Sequence, residues 1–284
     1  MKNKVLLLGS TGKMGTALMR VFKDGYSIIG KNSRDFDASD LVQVGNLIEE
    51  HRPDIVLNTV AFLGIDPCEQ DPIGAFKINT LYPKCLAELS GERDFLLVHF
   101  STDAVFSDKQ EDFCKEGDIP CPLNVYGLTK YGGDCFVQNI AKEFYIFRVS
   151  ILFGETNKET QFVEKMLKKI KSGQKVLKIA DDIISSPSYS QDIAREARRI
   201  VETKLPFGLY HIGNKGRASL FDLMQEIVRN LGLDVRVEHC SYKDFPFIGV
   251  KNTCTPLESQ KLKPLRPWQE AVKEYCSHIK EDYK

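Results

Sequence analysis

Val5-Leu6-Leu7-Leu8-Gly9-Ser10-Thr11-Gly12-Lys13-Met14-Gly15 opens with four consecutive apolar residues and runs directly into glycines spaced three apart. An unbroken apolar run of this length is what a strand covered on both faces requires. The residues that follow, Ala17-Leu-Met-Arg-Val-Phe22, carry helical patterning. Strand, glycine turn and helix in that order open a parallel α/β unit. The glycines allow a tight turn. They also let a pyrophosphate approach the helix N-terminus, where free N–H groups and the macrodipole attract anions. Gly9, Thr11, Gly12, Lys13, Met14 and Gly15 are therefore the expected phosphate contacts of a dinucleotide cofactor. The simpler alternative is a glycine turn without a ligand; the strand before it and the helix after it favour the cofactor.

Further along, Tyr26–Gly30, Asp54–Asn58, Phe95–Phe100 and Phe144–Val149 read as strands, and Leu41–His51 as a helix stopped at Arg52-Pro53. From Gly154 the pattern changes. Thr160–Lys171 reads as an amphipathic surface helix, Leu209–Ile212 as a short strand, and Ser219 as the cap of another helix. The expected fold is α/β: a Rossmann-type doubly wound parallel sheet over residues 1–153, completed by about 187–213. A smaller C-terminal α/β substrate-binding region takes 154–186 and 214–284.

Lys+Arg and Asp+Glu number 39 each, so there is no electrostatic case for nucleic acid or a membrane surface. No window approaches the apolar length of a membrane span. The apolar start is only a strand long and does not read as a signal peptide. The 8 cysteines are scattered without Cys-x-x-Cys spacing. Reduced thiols and a cytoplasmic location are the expectation. Cys114 and Cys121 flank a proline-rich loop, but no His or Asp completes a metal site there.

The end of the second strand bears on the cofactor. An NAD site usually places a carboxylate there, on the ribose 2′-hydroxyl. This chain has Gly30-Lys31-Asn32-Ser33-Arg34. Lys31, Ser33 and Arg34 suit a 2′-phosphate, which favours NADP, with NAD also open. Solvated loop charges are the plainer reading. Asp37 reads as a helix N-cap whose backbone lines an adenine pocket. Asn58 ends the third strand at the ligand edge, followed by Ala61 and Phe62.

The fourth strand ends at the same edge in Ser101-Thr102-Asp103. Asp103 reads as structural, capping nearby backbone. Tyr126 and Lys130 lie four apart, on one helix face. An ammonium beside a phenol favours the phenolate, so the Tyr126 pKa is expected below its usual 10. Such a phenol could protonate a carbonyl oxygen as hydride reaches its carbon, with Thr102 as second donor. Ser101, Tyr126 and Lys130 would also border the cofactor. Tyr-x-x-x-Lys is weak alone; its position after the glycine loop and Thr102 gives it meaning.

In this order the motifs resemble those of the extended short-chain dehydrogenase/reductases. More narrowly they resemble the dTDP-4-dehydrorhamnose reductases, an RmlD-like substrate-binding family. The resemblance is carried by the glycine loop, Arg52-Pro-Asp-Ile-Val-Leu-Asn58, Ser101-Thr-Asp-Ala-Val-Phe106 and Pro122-Leu-Asn-Val-Tyr126-Gly-Leu-Thr-Lys130. It continues through Phe147-Arg-Val-Ser150, Asp182–Ser188 and Gly208–Ile212. It implies Thr102, Tyr126 and Lys130 as the catalytic set. The implied substrate is a nucleotide-diphosphate 4-keto-6-deoxy sugar, bordered by Thr102, Asp103, Ala104, Ile151 and Pro187.

The chain departs from the family pattern in three places. Ala104 replaces a tyrosine, Asp182-Ile-Ile-Ser-Ser-Pro187-Ser188 lacks a Gln and a Gly, and Lys251-Asn-Thr-Cys-Thr-Pro-Leu257 stands for Arg-Pro-x-Asn-Ser-x-Leu. Some members bridge a dimer through magnesium on glutamates. Ala17 replaces one of these, so no metal is expected, while a homodimer stays open. Two other functions also stay open: a nucleotide-sugar epimerase or dehydratase, and a non-catalytic cofactor-binding subunit like methionine adenosyltransferase β.

Overall fold

The computed structural model describes residues 3–108, 112–156, 158 and 161–283. In chain order the first elements are β1 (Lys4–Leu8), α1 (Lys13–Phe22), β2 (Ser27–Lys31), α2 (Leu41–His51) and β3 (Ile55–Asn58). Short helices α3 (Ile65–Gln70) and α4 (Pro72–Phe76) lead through a π-helical turn, Lys77–Leu81, into α5 (Tyr82–Arg93). Then come β4 (Leu96–Thr102), α6 (Val125–Ile140) and β5 (Phe144–Val149). The remainder comprises β6 (Leu152–Phe153), α7 (Phe162–Lys171), β7 (Val176–Ala180), β8 (Ile184–Ser185), β9 (Ser188–Tyr189), α8 (Ser190–Glu202) and β10 (Gly208–His211). It ends with β11 (Ala218–Ser219), α9 (Leu220–Leu231), β12 (Arg236–Cys240) and α10 (Trp268–Ile279).

Six strands form one parallel sheet in the order β2-β1-β3-β4-β5-β10. The chain steps outward from β1 to β2, then crosses to the other side of β1 to lay down β3. The ligand crevice of an open α/β sheet lies at such a reversal, beyond the carboxyl ends of the strands. This is the doubly wound sheet expected from the apolar runs.

Alternation along β1 explains why its run is apolar throughout. Leu7 joins Leu18, Phe22, Phe147 and Ile193 on the face covered by α1 and α8. Leu6 and Leu8 join Val44, Ile48, Leu86 and Val137 on the face covered by α2, α5 and α6. A separate apolar cluster, with Leu167, Leu177, Leu223, Ile227 and Val272, packs α7, α9 and α10 around the parallel pair β7–β12.

Helix ends follow local chemistry. Asp40 caps α2, accepting from the N–H groups of Val42 at 3.0 Å and Gln43 at 3.2 Å. That corrects the expected role of Asp37. Three residues further out, its carboxylate accepts from Ser39 N and Ser39 Oγ at 2.8 Å each and folds the approach to the helix. Arg52 ends α2 in the left-handed region at φ 42° and donates its N–H to Ile48 O. Ser219 caps α9 in a capping box with Asp222. The helix expected from Thr160 begins at Phe162; Thr160 lies outside the described residues. All eight cysteines are free, and no described helix is long and apolar enough to cross a membrane.

One buried ion pair ties the glycine loop to α7. Lys13 is 3% exposed, and its ammonium lies 3.0 and 3.1 Å from the carboxylate oxygens of Glu164 and 2.7 Å from Leu152 O. Burial pushes the Lys13 ammonium pKa down, and Glu164 opposes that shift. Removing one partner of a buried pair strands the other charge. Glu164→Gln should therefore lower unfolding stability by about 3 kcal/mol, read from urea denaturation midpoints; an unchanged midpoint would show that the pair contributes nothing.

Candidate active site

The crevice at the reversal is walled by the loops after β1 and β3. Gly9 takes φ +90°, and the N–H groups of Gly9 and Ser10 both donate to Lys31 O, at 2.8 and 3.0 Å. A Cβ on Gly15 would lie 2.2 Å from Gly9 O, and one on Gly9 2.5 Å from Thr59 Oγ1. Glycine at these positions lets α1 begin against the backbone of the turn. No side chain caps α1, and its first turn holds no acid. The uncapped N–H groups and the bare cradle fit a pyrophosphate.

The expected phosphate contacts differ in their surroundings. Thr11 is exposed at the mouth of the loop, while Met14 is buried in the core beneath α1. The Lys13 side chain turns away to Glu164, so its expected phosphate contact reduces to a backbone N–H. Lys31 is half-buried, and Ser33, Arg34 and Asp37 are exposed near the end of β2. Asp35 is folded back to accept from Asn32 N at 2.7 Å.

Beyond β3, Asn58 Oδ1 accepts from Val60 N at 3.1 Å, and its amide donates to His99 Nδ1 at 3.0 Å. Asn79, inside the π-helical turn, clamps Phe62 through both backbone groups: Phe62 N donates to Oδ1 at 2.9 Å, and Nδ2 donates to Phe62 O at 3.1 Å. Ala61 is thereby suspended between two fixed points. π-helical turns occur frequently at functional sites. The clamp had no local sequence signal.

At the reacting edge, Asn124 caps α6 by accepting from Gly127 N at 2.9 Å. A Cβ on Gly127 would lie 2.1 Å from Ala104 O, so this glycine lets α6 dock against the turn after β4. That docking brings Tyr126 to Thr102. The Thr102 hydroxyl accepts from Ala104 N, contacts Asp103 Oδ1 at 3.1 Å and interacts with the Tyr126 phenol. Lys130, 2% exposed, donates to Phe100 O at 2.7 Å. Ser101 is buried beside it on β4.

The electrostatics correct one expectation. Burial pushes the Tyr126 phenol up, reinforced by Asp103 and other acidic groups, while Thr102 opposes the shift. Burial pushes the Lys130 ammonium down to about 8, and Asp134 opposes that shift. Lys130 thus does not generate a phenolate: its ammonium is engaged by Phe100 O, and desolvation outweighs the remaining interactions. Tyr126 is held as a neutral proton donor.

Asp103 also differs from the backbone cap expected of it. It accepts from three hydroxyls, Ser150 at 2.7 Å, Thr255 at 3.0 Å and Thr102 at 3.1 Å. It fastens the end of β4 to the C-terminal segment. Ala104 and Pro187 are buried and Ile151 half-buried; Ser188 N donates to Ile151 O, which sets Pro187 near Ile151. Lys251 opens the segment that departs from the family pattern. It sits over the Phe247 ring at 5.5 Å; burial pushes its ammonium pKa down, and Asp103 and Asp66 oppose that shift.

The model of the RmlD substrate binding domain family matches residues 2–281. The chain belongs to that family. Across 96% of both chains it is 30% identical to the spore coat polysaccharide biosynthesis protein SpsK of Bacillus subtilis. A solved dTDP-4-dehydrorhamnose reductase from Clostridium acetobutylicum superposes with a TM-score of 0.91 at 30% identity, covering 97% of this chain and 99% of that one. The dTDP-4-dehydrorhamnose reductase of Bacillus anthracis, solved in complex with NADP, gives 0.92 at 26% identity, covering 98% and 100%.

In this RmlD-family chain the cradle can be tested apart from turnover. Gly15→Ala forces a methyl onto Gly9 O and should weaken NADPH binding by about tenfold or more, measured by cofactor fluorescence. Gly45, on α2 with open space around it, supplies the control: Gly45→Ala should bind NADPH as the unaltered protein does. Equal affinity in both variants would remove the cradle from cofactor binding.

Proposed function

We propose that this chain reduces the 4-keto group of a nucleotide-diphosphate 4-keto-6-deoxy sugar with NADPH, as a step in deoxysugar and polysaccharide synthesis. The observation that carries the reading is a neutral Tyr126 phenol beside the Thr102 hydroxyl, at the ligand edge of the sheet, with a buried Lys130 on the same helix face. The relatives support it: the Clostridium acetobutylicum and Bacillus anthracis structures are of dTDP-4-dehydrorhamnose reductases, and the latter holds NADP.

NADPH, when bound, supplies hydride to the ketone carbon. The chain supplies the other requirements. The cradle of Gly9, Gly12 and Gly15 would hold the pyrophosphate, and Lys31, Ser33 and Arg34 would face the 2′-phosphate. Asn58, Ala61 and Phe62 would line the crevice. Tyr126 donates its proton to the ketone oxygen as negative charge develops there. Thr102 gives that oxygen a second hydrogen bond by turning its hydroxyl proton away from Asp103 Oδ1, 3.1 Å distant, while Ala104 N holds the Thr102 oxygen in place. Lys130 places a positive charge near the same oxygen.

Dehydration of a sugar would need a free acid–base pair next to Thr102. Asp103 is instead committed to three hydroxyls, which favours reduction.

Removing the donor should be costly. Tyr126→Phe should lower kcat by roughly a hundred- to ten-thousand-fold while NADPH binding is retained, assayed by NADPH oxidation over a panel of nucleotide-linked 4-keto sugars. Full activity in the variant would refute the role. A stable hetero-oligomer with no NADPH oxidation by the unaltered protein would indicate a regulatory subunit instead.

The pH dependence has a definite sign. Tyr126, pushed up, stays protonated through neutral and mildly alkaline pH, whereas Lys130 loses its proton near 8. The reduction rate should fall as pH rises through about 8. Lys130→Met should flatten that limb.

A further inference from the structure

Three buried polar atoms on neighbouring elements, His99 Nε2, Ser101 Oγ and Arg148 Nη1, lie around the Asp134 carboxylate, and like its Oδ1 they lack a hydrogen-bond partner elsewhere. Asp134 is on α6, four residues after Lys130 and eight after Tyr126, so all three share a helix face. Asp134 is 0% exposed and Lys130 2%. Arg148, on β5, donates Nε to Asp134 Oδ2 at 3.0 Å. His99, on β4, accepts from the Asn58 amide at Nδ1, which leaves its ring proton on Nε2, 3.8 Å from Asp134 Oδ1.

We propose that Asp134 is a positioning residue for the reaction: it supplies the buried negative charge that faces Lys130, while Arg148 and His99 fix the carboxylate. The inference rests on the reductase reading. An ammonium taken out of water retains its proton only near negative charge. Asp134 is the carboxylate that opposes the desolvation of Lys130. The charge order along the interior is Lys130, Asp134, Arg148, alternating in sign.

Other groups face this chain without replacing it. Burial keeps His99 neutral, and Lys130 reinforces that. Burial pushes the Asp134 carboxyl up, and Arg148, Ser101 and Lys130 oppose that shift by favouring its charged form. Tyr131 lies near Asp134 and Arg148, and burial pushes its phenol up. Burial pushes His211, on β10 in register with Arg148, down to about 4; Glu116 opposes that shift and Arg148 adds to it. Cys68, Asp103 and Thr102 act on Tyr126. Lys130 therefore depends on Asp134 for compensating charge.

The test follows the Lys130 Cε signal in protein carrying ¹³C-labelled lysine, assigned by Lys130→Met, during a pH titration. In Asp134→Asn the Lys130 midpoint should fall by about one pH unit or more, and the alkaline limb of turnover should move down with it. Asp134→Glu should restore part of the shift. If the buried Arg148 unfolds the single variant, Asp134→Asn/Arg148→Met removes both charges and should show a smaller fall in the same direction, because the nearer charge dominates. The reciprocal measurement uses Lys130→Met, in which the Asp134 carboxyl midpoint should rise by linkage. A folded Asp134 variant with an unchanged Lys130 midpoint, or an unmoved Asp134 carboxyl in Lys130→Met, overturns the proposal. If the midpoints move but the protein oxidises no NADPH with any keto sugar, the reductase reading fails and the electrostatic inference stands.

Discussion

The contact between the first turn of α1 and the end of β1 is the constraint on which the rest of the molecule depends. Gly15 lies so close to Gly9 O that a methyl group would not fit. Because α1 starts there, its apolar face can cover Val5, Leu7, Phe147 and Ile193, and its N-terminus opens onto the sheet reversal. The same approach sends the Lys13 side chain sideways, where Glu164 receives it. Helix position, crevice shape and attachment of α7 thus share one steric origin.

Few solvated groups remain near the reacting edge. Lys130, Asp134, His99 and Arg148 are all at most 2% exposed. In such a medium, charges hold their values only through one another, and pairing replaces hydration. Tyr126 shows the consequence: desolvation outweighs its hydrogen bond with Thr102 and leaves a protonated phenol. For reduction that is the productive state, because the oxygen of the substrate requires a proton and not a base.

Much of the fold was legible in the sequence because its signals are local. The strand Phe144–Val149 and the helix Leu41–His51 have the bounds their patterns suggest, since apolar runs and the Arg52-Pro53 stop act within a few residues. Asp37 misled because two acids three apart both resemble caps, and only the position of the first free N–H groups distinguishes them. Spacing alone points the Tyr126 shift the wrong way, because it reports neighbours and not burial. Asn79 and Phe62 are 17 apart in sequence and Asp134 and Arg148 14 apart. A one-residue motif cannot announce such pairings. Asp134 did carry a faint mark, as the third member of the 126, 130, 134 helical series.

The π-helical turn at Lys77–Leu81 places a different kind of information in the chain. A π turn holds one more residue than an α turn, so its geometry is a matter of counting. Losing one residue there would restore ordinary α-helix and rotate Asn79 by roughly 100° relative to α5. The hold on Phe62 would go with it. The wall of the crevice is thus written in chain length as well as in residue identity. Drift by insertion or deletion at this point reshapes the crevice even where every side chain is conserved.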